Sequence, residues 1–100
     1  MTITKTVQNQ ETVLLLSGRL DSGTSAELQK ELEPLWEAGN TDIILDFSEL
    51  SYISSAGLRV LLMSEKKCKI NNKCFFIKAA NQSIREIFDI TGFSGFLNNI

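Results

Sequence analysis

Two apolar runs separated by a helical pattern set the strongest limit on how this chain can fold. Residues Thr12–Leu16 and Ile43–Phe47 form continuous apolar runs, a pattern typical of strands that are covered on both faces. Between them, leucines and a tryptophan recur at helical spacing until Gly39 and Asn40 end the segment. A strand, a helix and a second strand in this order predict a parallel crossover, and therefore an α/β fold.

Further segments extend this pattern to seven elements. Residues Ile3–Val7 alternate apolar and polar side chains and precede the first apolar run by a short turn, so the two segments are expected to form a hairpin. A second helix is predicted to begin at Ser54 and Ser55. The remaining expected elements are a strand at Cys74–Ile77, a helix through Ile84, Ile87 and Phe88 that ends at Thr91 and Gly92, and a final turn at Phe93, Phe96 and Leu97. The predicted order is β-β-α-β-α-β-α, a mixed β-sheet of about four strands covered by helices.

Several local features make more detailed predictions. Thr24 with Glu27, and Ser83 with Glu86, have the spacing of capping boxes, which predicts that helices begin there. Pro34 is expected to kink the first helix or to limit its last turn. Three further expectations are that Leu61 and Leu62 cover the sheet with Leu58 beside them, that Ser48–Ile53 is a short connection, and that Cys74 packs as a small core residue.

Composition excludes several classes of protein. With 43% hydrophobic residues in 100, the chain is too apolar for a disordered protein and has the size of one domain. A net charge of −2 argues against direct binding of nucleic acid, because phosphate recognition needs a basic patch. The sequence has no apolar run of the ~20 residues that cross a membrane and does not open on a signal-peptide pattern. We therefore expect a cytoplasmic protein without membrane insertion.

The residues that usually carry catalysis or bind cofactors are scarce. Histidine is absent, which removes the commonest general base and the commonest metal ligand. Cys68 and Cys74 are too few for a disulfide framework and have no histidine nearby, so we expect reduced thiols and no metal site. The glycines form no phosphate-binding loop. The sequence therefore predicts no catalytic residues, no metal and no cofactor.

The segment Ser54–Gly57 is the most informative one for function. It follows a predicted strand, and its small residues begin a predicted helix. A structural interpretation is that Ser54 or Ser55 is an N-cap, which stabilises a helix by about 1 kcal/mol. A functional interpretation is that the free N–H groups of the helix start favour an anion, while the small side chains let another chain approach closely.

Four segments of the chain resemble a known family. Residues Leu50–Leu62 resemble the signature of STAS domains, specifically those of bacterial anti-sigma factor antagonists. The resemblance extends to Gly18–Asp21, to the strand Ile43–Phe47 and to Phe88–Phe93. It follows the element order of the family over essentially the whole chain, and it implies a single STAS-like domain at residues 1–100.

The resemblance also implies a site at the start of the second helix. In the family, the serine that precedes a small residue and a glycine is phosphorylated; by motif this is Ser55, followed by Ala56 and Gly57. The family often has aspartate just before this serine, where this chain has Ser54, which is an alternative acceptor. The acidic residue of the family's Gly-x-Leu-Asp segment corresponds to Asp21, which is expected on the same surface. The residues expected to face a partner are Asp21, Ser54, Ser55, Ala56, Gly57 and Arg59, although Arg59 also fits a solvated helix charge.

The function implied by this resemblance is that of a binding module controlled by phosphorylation. An unphosphorylated antagonist sequesters an anti-sigma factor that is also a serine kinase, and phosphorylation releases it, which regulates sigma-factor-dependent transcription. A serine phosphatase is a further candidate partner. The alternative is a STAS-type component of a lipid or solute transport complex without phosphorylation, and a transporter-type ATPase as partner would distinguish it.

The first prediction is that the purified protein has no hydrolase, transferase or nucleotidase activity. A pair of Ser55 with Asp21 or Asp46 lacks the base that an activated serine needs, since histidine is absent and four of the seven lysines cluster at residues 66–73. Incubation with ATP or GTP should give no turnover above the buffer rate. Turnover that Ser55→Ala abolishes would contradict this prediction.

Overall fold

Seven elements follow one another in the predicted order within residues 1–92, the part of the chain that the computed structural model describes. They are β1 (Thr2–Gln8), β2 (Glu11–Leu20), α1 (Ser22–Ala38), β3 (Asp42–Ile53), α2 (Ser55–Ile70), β4 (Phe75–Lys78) and α3 (Gln82–Thr91). The strands form one mixed sheet of four, which confirms the predicted α/β class. The turn predicted at Phe93, Phe96 and Leu97 lies outside the described residues.

The topology of the sheet brings two helix starts to the same end of the molecule. The strand order is β1-β2-β3-β4; β1 and β2 form the predicted antiparallel hairpin, and β2, β3 and β4 are parallel. Because α1 follows β2 and α2 follows β3, both helices begin where these parallel strands end. We call this the helix-entry end; it comprises Arg19–Asp21 after β2 and Tyr52–Ser55 after β3.

The helices cover one face of the sheet. Alternate strand residues such as Leu14, Leu45 and Phe47 are fully buried in a single cluster with side chains from all three helices. Ile44 alternates to the opposite face and lies outside this cluster. The helices of residues 1–92 therefore cover one face of Ile43–Phe47, and on the other face Ile44 is nevertheless buried and Asp46 half-buried.

Strand β3 is longer than predicted. Residues Ser48–Ile53, expected to be a connection, continue the strand to Ile53. The pairing with β2 extends through Gly18 with Leu50 and Leu20 with Ile53, and shifts in register absorb the extra residues of β3. The sequence pattern does not indicate a strand here, because most residues of the segment are polar and exposed and only Leu50 and Ile53 are buried.

Two helices begin earlier than predicted because other side chains cap them. Asp21 rather than Thr24 is the N-cap of α1, and its carboxylate accepts a hydrogen bond from the backbone N–H of Thr24. Asn81 rather than Ser83 caps α3 through the N–H of Ile84. Both capping residues have the extended backbone that an N-cap requires, so the end of the preceding segment decides where each helix starts.

Pro34 does not end α1. The helix continues to Ala38 and stops, as predicted, at Gly39, whose φ of 65° is the left-handed conformation that glycine adopts easily. Leu32 and Trp36 are buried on either side of Pro34 and hold this part of the helix against the core. Tertiary packing therefore overrides the local cost of the proline.

Burial differs from expectation at two positions. Leu61 is fully buried and Leu58 packs against the core, but Leu62 is half-buried and lies outside the core cluster, so its predicted role in covering the sheet is wrong. Cys68 is buried, and burial raises the pKa of its thiol to about 11. Cys74 is exposed rather than packed in the core, because it precedes the first paired residue of β4.

The second prediction contrasts two adjacent leucines of α2. Leu61→Ala should lower the free energy of unfolding by about 2–5 kcal/mol, since it opens a cavity in the core. Leu62→Ala should cost less than about half as much, because its side chain is already partly in water. Urea denaturation followed by circular dichroism measures both values. Equal losses would contradict the orientation of α2.

Candidate partner-binding site

The helix-entry end is fixed by backbone hydrogen bonds between neighbouring strands. The N–H of Ser54 donates to the carbonyl of Leu20 at 2.9 Å. Asp21 and Ser54, the N-caps of α1 and α2, each follow directly after the last residue of a strand. The side-chain amide of Asn81 donates to the carbonyl of Leu50 at 3.1 Å, so the start of α3 is tied to β3 as well.

Asp21 is a capping carboxylate. Its Oδ1 accepts from the N–H of Thr24 at 3.0 Å, and the hydroxyl of Thr24 accepts from the N–H of Asp21 at 2.8 Å. The hydrogen bonds from the backbone and side chain of Thr24 lower the pKa of the Asp21 carboxyl. Asp21 is therefore a half-buried anion that begins α1, on the same end of the molecule as Ser55.

The two adjacent serines have different environments. The hydroxyl of Ser54 accepts a hydrogen bond from the N–H of Gly57 at 3.2 Å, and Ser54 is half-buried as the N-cap of α2. Ser55 is the first residue of the helix and is exposed. Within residues 1–92, no hydrogen bond occupies the Ser55 hydroxyl. The structural interpretation of this segment therefore applies to Ser54, and it leaves Ser55 accessible.

Gly57 serves packing within the chain. A Cβ atom at this position would lie 2.9 Å from Cδ2 of Leu20 and 3.0 Å from Cγ1 of Ile53. Such distances are too short for a side chain, so glycine is what lets α2 approach the ends of both strands. Gly57 is buried, which removes it from the surface that was expected to face a partner.

The other expected partner-facing residues remain at the surface. Ala56 is half-buried, Arg59 is exposed, and both line a shallow groove between α1 and α2 together with Ser22. Arg59 lies one helical turn after Ser55. The structure therefore brings together Asp21, Ser54, Ser55, Ala56 and Arg59 at one end of the domain.

One contact at this end was not predicted from the sequence. The guanidinium carbon of Arg19 lies 4.2 Å from the centre of the Tyr52 ring, a cation–π arrangement. The two residues are register partners on β2 and β3. Only the strand register could reveal the pair, because Tyr52 falls in the segment that was expected to be a connection.

Residues 1–92 contain neither a cluster of metal ligands nor a membrane-spanning helix. No group of three or more histidine, cysteine, aspartate or glutamate side chains in this part of the chain could hold a metal ion. None of the helices described here combines the length and the apolar character needed to cross a bilayer.

The residues described form a small α/β domain with the starts of its helices gathered at one end. The model of the family described as "Mlab, STAS domain" matches residues 3–98. The chain therefore belongs to the STAS domain family.

Relatives and solved structures agree with this assignment. The anti-sigma-B factor antagonist of Staphylococcus epidermidis is 30% identical over 83 residues, which cover 83% of this chain and 77% of the relative. The unphosphorylated form of the anti-sigma factor antagonist SpoIIAA has the same fold, with a TM-score of 0.88 and 17% identity over 99% of this chain and 88% of that one. The phosphorylated form of SpoIIAA from Bacillus gives a TM-score of 0.81 and 18% identity over 99% and 91% of the two chains.

The third prediction compares two glycines in first helical turns. Gly57→Ala should be less stable than Gly23→Ala by about 1–3 kcal/mol, the usual cost of overpacking. Both changes gain the same helix propensity, but a Cβ atom at Gly23 would meet nothing closer than the Asp21 carboxylate at 3.7 Å. Urea denaturation of both variants measures the difference. Equal stabilities would show that α2 does not depend on the close approach at Gly57.

Proposed function

We propose that this protein is an anti-sigma factor antagonist whose binding is switched off by phosphorylation of Ser55. Unmodified, it binds and sequesters an anti-sigma factor, which frees the sigma factor for transcription. The name of the Staphylococcus epidermidis relative supports the antagonist function, and it does not favour the transport alternative. The existence of SpoIIAA in unphosphorylated and phosphorylated forms supports control by phosphorylation.

The observation that carries the proposal is the exposure of the Ser55 hydroxyl at the first position of α2. A kinase must reach the acceptor oxygen, and the Ser54 oxygen is instead engaged by the N–H of Gly57. This difference supports Ser55 over Ser54 as the acceptor. Asp21, Ala56 and Arg59 surround it as the proposed partner-binding surface.

The position of Ser55 suits a switch that acts on the interface and leaves the fold intact. A phosphate adds roughly −1.5 to −2 charges at neutral pH. At the start of a helix such a charge is locally favourable by about 0.3–1 kcal/mol at an exposed site. A docked partner would have to desolvate the same charge, so phosphorylation should weaken the complex while the domain stays folded.

The partner in this proposal is an anti-sigma factor that is itself a serine kinase. A serine phosphatase would return the protein to its binding form. The chain itself acts as a binding module without enzymatic activity, in the cytoplasm, where sigma factors and RNA polymerase work.

The fourth prediction tests this switch directly. The protein is incubated with ATP and the purified kinase-type anti-sigma factor encoded nearest to its gene, and the phosphosite is mapped by mass spectrometry. Phosphate should appear on Ser55, Ser55→Ala should abolish it, and the matched control Ser54→Ala should retain it. Ser54→Ala should also lower stability by about 1 kcal/mol, because it removes the N-cap.

Affinity completes the test. Calorimetric titration should show that unmodified protein and Ser55→Ala bind the anti-sigma factor, and that stoichiometrically phosphorylated protein binds at least about tenfold more weakly. Phosphate found only on Ser54 would move the site by one residue. Equal affinity of the unmodified and phosphorylated proteins would refute the switch.

A further inference from the structure

Arg19 and Tyr52 lie at the rim of the proposed partner-binding surface. They are paired in the register of β2 and β3, and each is followed by one buried residue, Leu20 or Ile53, before the N-cap of a helix. Tyr52 also comes three residues before Ser55. The pair is therefore placed where a partner that covers the start of α2 would reach it.

Neighbouring side chains hydrogen-bond to the backbone that carries Arg19. The hydroxyl of Thr24 donates to the carbonyl of Arg19 at 2.7 Å, and the hydroxyl of Ser51 donates to the carbonyl of Gly18 at 3.0 Å. The Arg19 guanidinium rests 4.2 Å from the centre of the Tyr52 ring. A planar guanidinium stacked on a ring loses less conformational freedom on binding than a free side chain, because it is already oriented.

Both side chains are open to a partner. Arg19 is exposed and the Tyr52 side chain is 38% exposed. No carboxylate within residues 1–92 lies at ion-pair distance from Arg19, and the nearby Asp21 carboxylate accepts hydrogen bonds from Thr24 instead. Among residues 1–92 the N–H donors of Arg19 thus have no ion-pair partner, so they are open to a group from another chain.

The charge around the pair indicates what kind of group it would accept. Arg59 adds a second exposed cation on the first turns of α2. The first turns of all three helices lack acidic residues, so their positive N-terminal dipoles are balanced there only by the capping Asp21. Arg19 and Arg59 thus place two exposed positive charges near the capping carboxylate of Asp21, although the chain as a whole carries a charge of −2. Arginine and tyrosine are also residue types that concentrate in interfaces.

We infer that the Arg19–Tyr52 pair binds an aspartate or glutamate side chain of the anti-sigma factor and helps to select that partner. The inference rests on the proposed function and adds a recognition contact to it. It also gives a second reason for release. A phosphate on Ser55 would lie at the same end and would compete with the partner's carboxylate for the positive charges of Arg19 and Arg59.

The fifth prediction concerns Arg19 and uses the anti-sigma factor that binds wild type in the preceding experiment. Calorimetric titrations at low and high salt compare wild type, Arg19→Gln and Arg19→Lys. Arg19→Gln should bind about tenfold more weakly at low salt, and its affinity should depend less on salt, because the charge is lost. The affinity of Arg19→Lys should lie between those of wild type and Arg19→Gln, since lysine keeps the charge but lacks the planar guanidinium group.

The controls separate this inference from the proposed function. Lys66→Gln removes the same charge from an exposed site further along α2 and should stay within about twofold of wild type. Tyr52→Phe keeps the ring beneath Arg19 and should also bind like wild type, whereas Tyr52→Ala should weaken binding. If wild type binds and Arg19→Gln binds equally well with the same salt dependence, the inference is wrong and the proposed function stands. If wild type does not bind, both fall.

Discussion

The close approach of α2 to the sheet at Gly57 is the constraint on which the site depends. With no side chain there, the helix start rests directly on Leu20 and Ile53, the last residues of β2 and β3. The hydrogen bond from Ser54 to Leu20 fixes the same approach through the backbone. As a result, the hydroxyl of Ser54 turns back to cap the helix and that of Ser55 is left at the surface.

Contacts at the other end of the helices support this arrangement. The indole N–H of Trp36 donates to the buried hydroxyl of Ser64 at 3.1 Å, and the side-chain amide of Asn71 donates to the carbonyl of Trp36 at 2.9 Å. These bonds join the C-terminal half of α1 to the C-terminal half of α2, away from Asp21 and Ser55. In the proposed switch, a phosphate on Ser55 changes the surface that a partner meets, and this support at the other end of the helices is expected to keep the helices in place.

Sequence patterns were sufficient for the features that depend on local chemistry. The order of strands and helices follows from the hydrophobic patterns, whereas the proposed acceptor position, Ser55, comes from the resemblance of its motif to the family. The caps at Asp21 and Asn81 could not be predicted with certainty, because two polar residues compete for each cap and the end of the preceding segment decides between them. The stacking of Arg19 on Tyr52 could not be predicted, because it depends on the strand register. Tyr52 lies in a strand segment whose polar residues resemble those of a connection.

The central claim is that phosphorylation of Ser55 changes the binding surface and leaves the fold unchanged. The most direct measurement is a pair of amide-resolved NMR spectra of the isolated domain, before and after stoichiometric phosphorylation. We expect shift changes at the helix-entry end, around Asp21, Ser54 and Ser55, while the amides of buried core residues such as Leu45 and Phe47 stay in place. Large changes across the core, or loss of dispersion, would show that the phosphate acts on the fold and would contradict this claim.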